Sequence, residues 1–499
     1  MTASTVKVTV AATHVVHSKH PILLQDPFML GPFDQLGHFA TPINVVWIYE
    51  SSSAIGLIPL ERLRNAISRV LDYYPHLTGR MRIDPTTEVR SMASLGSGVH
   101  LLEAYCDATL QSFARTSPAS GRGFSVFDFP RSGNALLAPW DLSREGIQQN
   151  PVFTIQRTEF ACASVAIGMR LSHVVTGAGG FLQLYQDLAA IYRATTDLDI
   201  GGHFELASPP CLTPFMITQM QHMSDDEQRK ALAEGPSAYS LRHSDTGAEI
   251  HAQNEARFEQ SPEMDLIVGR TLRFSPAAIA TLKGWAVEPG SGSDARISAW
   301  AALSAHLWQH THRARLARAA DLNSSTDGEK TNVLSSSAFG TSVNFVPHLG
   351  LPERSFGNTV VTPVVELEST KLAHSPFWEI AKIISNLTRH VSVNEVHKIG
   401  SWIAAQPKKS LIQLDFPVTP ASFISTGWHR FPLYSGAELD VAPTFASPIF
   451  MDTLFDGMVF FVEPKVKDGS VEVVASLRSS TWESLDTDGG FITNWDRTA

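Results

Sequence analysis

Cysteine is nearly missing. Three residues, Cys106, Cys162 and Cys211, are scattered through 499 positions, and an odd number without ligand-like spacing excludes a disulfide framework and a thiolate metal site. A reducing compartment, the cytoplasm, is the expectation. Cationic excess is missing as well: 39 Lys and Arg stand against 49 Asp and Glu, a formal net charge of −10. Such a balance lacks the concentrated positive charge that displaces counterions from nucleic acid or docks on an anionic membrane. No apolar run reaches the roughly 18 residues that cross a bilayer. The start, MTASTVKVTV, alternates like a strand and has neither the basic opening nor the apolar run of a secretory leader. Also lacking are a phosphate-binding loop of the Walker type, a dinucleotide fingerprint and the GxSxG elbow of a serine hydrolase.

What remains is the composition of a compact protein, 43% hydrophobic and 18% charged. At this length one core does not suffice, and the pattern divides the chain into residues 1–205, a crossover at 206–264 and a second unit at 265–499. Leu60, Leu63, Ile67, Val70, Leu71 and Tyr74 recur at three- and four-residue steps, which predicts a helix stopped by Pro75. Residues 151–160 alternate as a strand, and a more buried strand, 163–171, runs into His173. After the glycines of LSHVVTGAGG (171–180), Phe181, Leu184, Tyr185, Leu188 and Tyr192 return to helical spacing. His173 therefore sits at a strand end, before a turn and a helix, where a rigid edge projects a side chain.

Residues 206–260 lose periodicity apart from a short helix predicted over 224–233. Beyond them the spacing predicts a strand at 271–274, a helix at 276–286 and a long helix at 296–318 with Trp300, Leu303, Leu307 and Trp308 inward. Residues 319–337 read as a polar surface loop. Two strands, 457–462 and 470–477, are joined through Asp468 and Gly469.

Six segments in order, LGPFDQL (30–36), DYYPHLTGRM (72–81), GVHLLEAYCDATLQSF (98–113), RISAWAALSAHLWQHTHRAR (296–315), FGN (356–358) and VEVVASLRSSTWESLDTD (471–488), resemble the BAHD acyltransferases, in particular the fungal members that modify secondary metabolites. The resemblance implies an α/β chain with two domains of the chloramphenicol acetyltransferase type and a channel between them. It also implies acyl-CoA as cosubstrate rather than a bound cofactor, a small-molecule acceptor and a monomer. His173 matches the histidine of the family's HxxxDG motif, which takes a proton from an alcohol or amine; an imidazole suits that task because its pKa lies near the working pH.

Both signatures are degenerate. Gly177 stands where the motif has Asp, and Asp187 is more than two helical turns further on. The DFGWG position reads AELDV (437–441), after TGWHRFPLY (426–434). Within that run Thr426 and Trp428 resemble the family's Thr-Ser-Trp element, whose hydroxyl or indole N–H donates to a developing oxyanion. Strand alternation predicts that His429 points away from the cavity if Trp428 faces it. Lys408 and Lys409 read as a solvated charge pair. An enzyme of the same fold that cyclises or isomerises a biosynthetic intermediate, without CoA, is the alternative reading, and a metabolite-binding protein without turnover a third.

Overall fold

The computed structural model describes residues 6–36, 41–52, 56–117, 121–195, 205–242, 265–291, 296–325, 334–451, 454–492 and 496–497. Two mixed sheets organise them. The first has six strands in the order Val8–Val16, Val99–Cys106, Phe153–Phe160, Val165–Ser172, Pro42–Tyr49 and Phe445–Pro448. The second has seven: Val364–Glu368, Ser336–Thr341, Phe423–Gly427, Met458–Val462, Val471–Arg478, Ile267–Phe274 and Asp496–Arg497.

The strand that carries His173 lies deep in the first sheet. All eight residues of Val165–Ser172 are buried, and they pair antiparallel with Phe153–Phe160 on one side and Pro42–Tyr49 on the other. The helix Ala178–Ala194 packs Phe181, Leu184, Tyr185, Leu188 and Tyr192 inward. Tyr185 stacks on Trp47 of the sheet, with ring centroids 3.6 Å apart and an interplanar angle of 5°. The helix Leu60–Tyr73 buries Leu63, Ala66, Ile67, Val70 and Leu71, and the ring of Pro75 opens a single 3-10 turn, Pro75–Thr78, where it ends.

The second sheet is covered by the helices Pro276–Trp285, Ala299–Ser325, Phe377–Arg389 and Ser479–Thr487, with Leu303, Leu307, Trp308, Ile380, Ile384 and Trp482 in its core. The long helix begins three residues later than its periodicity suggested, because the Ser298 side chain takes the Ala301 amide as a cap. It also ends later: residues 319–325, expected in a loop, continue the helix, and 326–333 lie outside the described residues. The expected helix after residue 224 is Asp225–Ala233, set by a capping box between Ser224 and Glu227. A three-residue strand, Tyr239–Leu241, pairs with Ile412–Leu414, too short for any period to reveal. The rest of the crossover, 243–264, is outside the described residues. Met458–Val462 and Val471–Arg478 pair antiparallel as expected, and Gly469 in the connection has φ +85°, a conformation that suits glycine.

One strand crosses the boundary drawn from the sequence. Phe445–Pro448 pairs antiparallel with Pro42–Tyr49, so a piece of the C-terminal half completes the first sheet. Its approach is held by Asp440 in the AELDV segment, whose carboxylate accepts from the Ile58 amide at 2.6 Å, from Arg62 at 2.9 Å and from the Tyr192 hydroxyl at 2.9 Å. Where the family has DFGWG, this segment fastens one half to the other. Among the described residues no helix is long and apolar enough to cross a membrane.

Candidate active site

A cavity of about 2060 Å³ lies between the two sheets. His173 and Gly177–Gly180 face it from the first unit; Thr426, Trp428, His429 and Phe431 face it from the second. Pockets that take one drug-sized ligand run to roughly 300–1,000 Å³, so there is room for two substrates side by side. The wall near Trp428 is aromatic: Phe460 lies 5.8 Å from Trp428 and 5.0 Å from Phe450, centroid to centroid. Asn44, two residues along its strand from the Pro42 that pairs with Ser172, lines the cavity too.

His173 is half-buried. Its Nδ1 lies 3.2 Å from Oδ1 of Asn358, the last residue of FGN. The Asn358 amide nitrogen faces acceptors throughout: the His173 carbonyl at 2.7 Å, the Val174 carbonyl at 3.1 Å and Asp34 Oδ1 at 2.9 Å. Turning the amide over would set an oxygen against those oxygens, so the network fixes which end meets the histidine. Burial is the main influence on the imidazole and holds its pKa below the ordinary value; hydrogen bonds with its own backbone, with Asn358 and with Thr176 act in the opposite direction.

Behind Asn358 stands Asp34, from the LGPFDQL segment. Its Oδ1 also accepts the Asn358 backbone amide at 2.8 Å, and its Oδ2 accepts the Gly31 amide at 2.8 Å. Burial pushes this carboxyl up to about 7, against the lowering effect of those hydrogen bonds. The turn itself is zipped to FGN: the Gly177 amide donates to the Gly357 carbonyl and the Gly357 amide to Thr176 Oγ1, both at 3.4 Å. Gly180 is obligatory, since a Cβ there would come within 2.0 Å of Thr176 Oγ1. Gly177 is different, for a Cβ there would meet only Asn358 Oδ1, at 3.8 Å.

Thr426 is the penultimate residue of the strand Phe423–Gly427, half-buried, with its hydroxyl 3.4 Å from Ser342 Oγ. Trp428 is 6% exposed and belongs to the first unit's core cluster as well as to the cavity wall. The expectation that only one of Trp428 and His429 faces the cavity fails. The strand stops at Gly427 and a turn follows, closed by the Phe431 amide on the Trp428 carbonyl at 2.9 Å, so two-residue alternation no longer applies. His429 lines the cavity, and burial lowers its pKa to about 4.

Lys409 is not solvated. It is buried, and its ammonium donates to the carbonyls of Ile403, Ala404 and Gln406 at 2.6–2.9 Å, completing the C-terminus of the helix Val393–Ala405. Asp187 does not brace the turn either; its Oδ2 takes the Tyr74 hydroxyl at 2.6 Å and Arg354 at 2.5 Å. Sequence reasoning missed Asn358 and Asp34 as parts of the site, although both lie in segments singled out for their likeness to a family. Among the described residues no cluster of His, Cys, Asp and Glu is placed to hold a metal.

The model of the Transferase family matches residues 6–491. A shikimate O-hydroxycinnamoyltransferase of Nicotiana tabacum is 23% identical over 89% of this chain and 90% of its own. Among solved structures, TRI101 of F. graminearum, crystallised with coenzyme A and T-2 mycotoxin, aligns at a TM-score of 0.65 with 16% identity, covering 95% of this chain and 99% of that one. Vinorine synthase aligns at 0.63 with 14% identity, covering 98% and 99%. These structural likenesses agree with the two-domain chloramphenicol acetyltransferase-like fold expected from the sequence.

Proposed function

Because this chain belongs to the Transferase family, the BAHD acyltransferases that its sequence resembles, it is an acyltransferase, and we propose that it moves an acyl group from acyl-CoA to a hydroxyl or amine of a small metabolite, with His173 as the general base. The observation that carries the proposal is the position of His173 on the wall of a cavity shared by both units, with Nδ1 against the Asn358 oxygen. Protonation at Nδ1 leaves Nε2 basic. That nitrogen takes the acceptor's proton while the acceptor oxygen or nitrogen bonds to the thioester carbon. The intermediate collapses as the C–S bond breaks, the proton passes from His173 to the departing CoA sulfur, and an ester or amide is left. Trp428 and Thr426 supply N–H and O–H donors to the carbonyl oxygen as it becomes negative.

The aromatic wall formed by Trp428, Phe450 and Phe460 suits an apolar, ring-bearing acceptor of fungal-type secondary metabolism. TRI101, an acyltransferase of this fold, was crystallised with CoA and a mycotoxin, which supports that substrate class here. We place the protein in the cytoplasm as a monomer. The cyclase or isomerase alternative drew on the loss of both signatures. With Asn358 holding the ring and Asp440 fastening the AELDV segment, those losses no longer favour it.

The test is incubation of the purified protein with acetyl-CoA and longer acyl-CoAs in the presence of fungal metabolite extracts, with free CoA and acylated products read by mass spectrometry. Release of CoA that vanishes in His173→Ala is expected. Conversion of a metabolite in CoA-free buffer, unaltered by added acyl-CoA, would replace this reading with the alternative.

A further inference from the structure

Arg90 is a cation on the cavity wall whose charge no described residue answers. It opens the strand Arg90–Ala93, which pairs antiparallel with Arg80–Ile83, and it lies outside every segment that carries the family likeness. It is half-buried and lines the same cavity as His173. Gln35 of the LGPFDQL segment clamps its backbone: the Arg90 amide donates to Gln35 Oε1 at 2.7 Å, and the Arg90 carbonyl accepts from Gln35 Nε2 at 3.1 Å. In the guanidinium, Nη1 donates to the Leu36 carbonyl at 3.1 Å. Among the described residues nothing accepts from Nε or Nη2, and no carboxylate lies within ion-pair distance. Burial lowers the Arg90 pKa to about 10; Glu88 opposes that shift and Arg144 adds to it. Glu88 is already engaged, since it accepts from Arg144 Nη1 at 3.1 Å. A guanidinium taken out of bulk water without a counter-ion is costly, and here its two open N–H groups sit on the wall of a substrate-sized void.

We propose that Arg90 seats a carboxylate of the acceptor, so that the metabolite acylated in this cavity is an acid, with its hydroxyl or amine at His173 and its carboxylate on the open side of the guanidinium. The inference rests on the reading of the cavity as the acyl-transfer site and narrows the class of acceptor. Nε and Nη2 together present the paired donors that match the two oxygens of a carboxylate. Met81, Ile83 and Ile147 line the cavity as well, which suits one anionic head on a hydrocarbon or ring body. Arg242 and Asp415, brought in where Tyr239–Leu241 pairs with Ile412–Leu414, add one charge of each sign. A single unanswered positive charge fits a carboxylate better than the several phosphate groups of CoA. The seat and the base also share one frame. Asp34, the neighbour of Gln35, accepts from the Asn358 backbone and side-chain amides at 2.8 and 2.9 Å, and the Asn358 oxygen lies 3.2 Å from His173 Nδ1. One short segment thus holds the guanidinium on one side and the catalytic turn on the other, so their spacing is set before any acceptor enters.

The experiment is calorimetric titration of the full chain with phenylacetate, cinnamate and indoleacetate, each beside its methyl ester, and separately with CoA. In the wild type the acids are expected to bind roughly 10- to 100-fold more tightly than their esters, the worth of hydrogen bonds to a charged group. In Arg90→Met the acids should fall to the level of the esters, the esters should be unchanged, and CoA should bind as it does to the wild type. Arg90→Lys, which keeps the charge and loses the fork, should recover part of the preference. Acids that bind no more tightly than esters, or that do not bind, overturn the proposal. So does an Arg90→Met protein that melts like the wild type and still prefers the acids. A loss of CoA affinity in Arg90→Met would assign the guanidinium to the phosphates of the cosubstrate instead, and overturns it too. If Arg90→Met does not fold, the wild-type contrast of acid with ester and the Arg90→Lys variant decide. None of these readouts needs turnover, so failure of acyl transfer and failure of the carboxylate seat are told apart.

Discussion

Arg354 reaches across from the second unit to Asp187 on the helix that follows the catalytic turn, Nη2 to Oδ2 at 2.5 Å, with the Tyr74 hydroxyl on the same oxygen at 2.6 Å. Burial raises the pKa of Asp187, and Tyr74 and Arg354 oppose that rise. Three residues lie between Arg354 and Asn358, so this pair pins the strip that carries Asn358. Arg354→Met should cost roughly 1–3 kcal/mol, because it leaves Asp187 buried with only Tyr74. Adding Asp187→Leu to it should restore part of the loss, since removing both members of a buried pair is milder than removing one. Urea unfolding of the wild type and the two variants checks this; equal midpoints for the single and double changes would mean that the pair holds nothing.

The pH dependence of turnover follows from His173. Its pKa is depressed in the folded protein, burial being the main cause, so the base stays neutral below the ordinary value of about 6.5. The acidic limb of kcat/KM should therefore fall with a midpoint below 6.5, and His173→Ala should lower kcat/KM by about 10²–10⁴-fold. A limb centred above 6.5 would point to a different base.

Trp428 is claimed both by the core and by the cavity, and two substitutions separate the roles. Trp428→Phe keeps an aromatic ring and deletes the N–H; Thr426→Val keeps the shape and deletes the hydroxyl. If the indole stabilises the oxyanion, Trp428→Phe should reduce kcat about 10²-fold and Thr426→Val should do much less. A lowered melting temperature with unchanged kcat would assign Trp428 to packing alone.

Acid should destabilise the second unit through His312, which is 1% exposed and held down to about 4 by burial and by nearby Arg315. An unfolded histidine takes up a proton near 6.5 and the folded one does not. The contribution is thus complete above pH 6.5 and is lost as pH falls towards 4. By linkage, about 2 kcal/mol should go between pH 7 and pH 5. In His312→Leu that part of the loss should disappear, which chemical denaturation at pH 7 and pH 5 will show. Asp34 and Glu472, each raised to about 7 by burial, act with the opposite sign, so the difference between variant and wild type is the quantity to compare.

Local periodicity carries local information, and here it reached far. The strand, turn and helix around His173 could be read from residues 163–192, since each apolar step there reports one face of one element. The order of six motifs carried the whole fold. What could not be read was whatever depends on two distant segments meeting. FGN was visible as a likeness, but nothing in three letters says that Asn358 lies against His173. Lys409 read as solvated because a sequence does not show which helix end it will cap. The alternation argument for His429 failed where Gly427 ends the strand. Trp300, read as inward with its helix, packs against the second unit's core beside Phe339 and, half-buried, also reaches the cavity wall next to Gly427, which its spacing alone does not show.

Phe445–Pro448 completes a sheet to which its own half does not otherwise belong. A gene cut in the crossover would therefore yield an N-terminal fragment whose strand Pro42–Tyr49, buried at all eight positions, becomes a bare apolar edge open to pairing with any neighbour. The halves are covalently and topologically interlaced, so they cannot gape like a clam to admit a ligand without tearing a ladder of backbone hydrogen bonds.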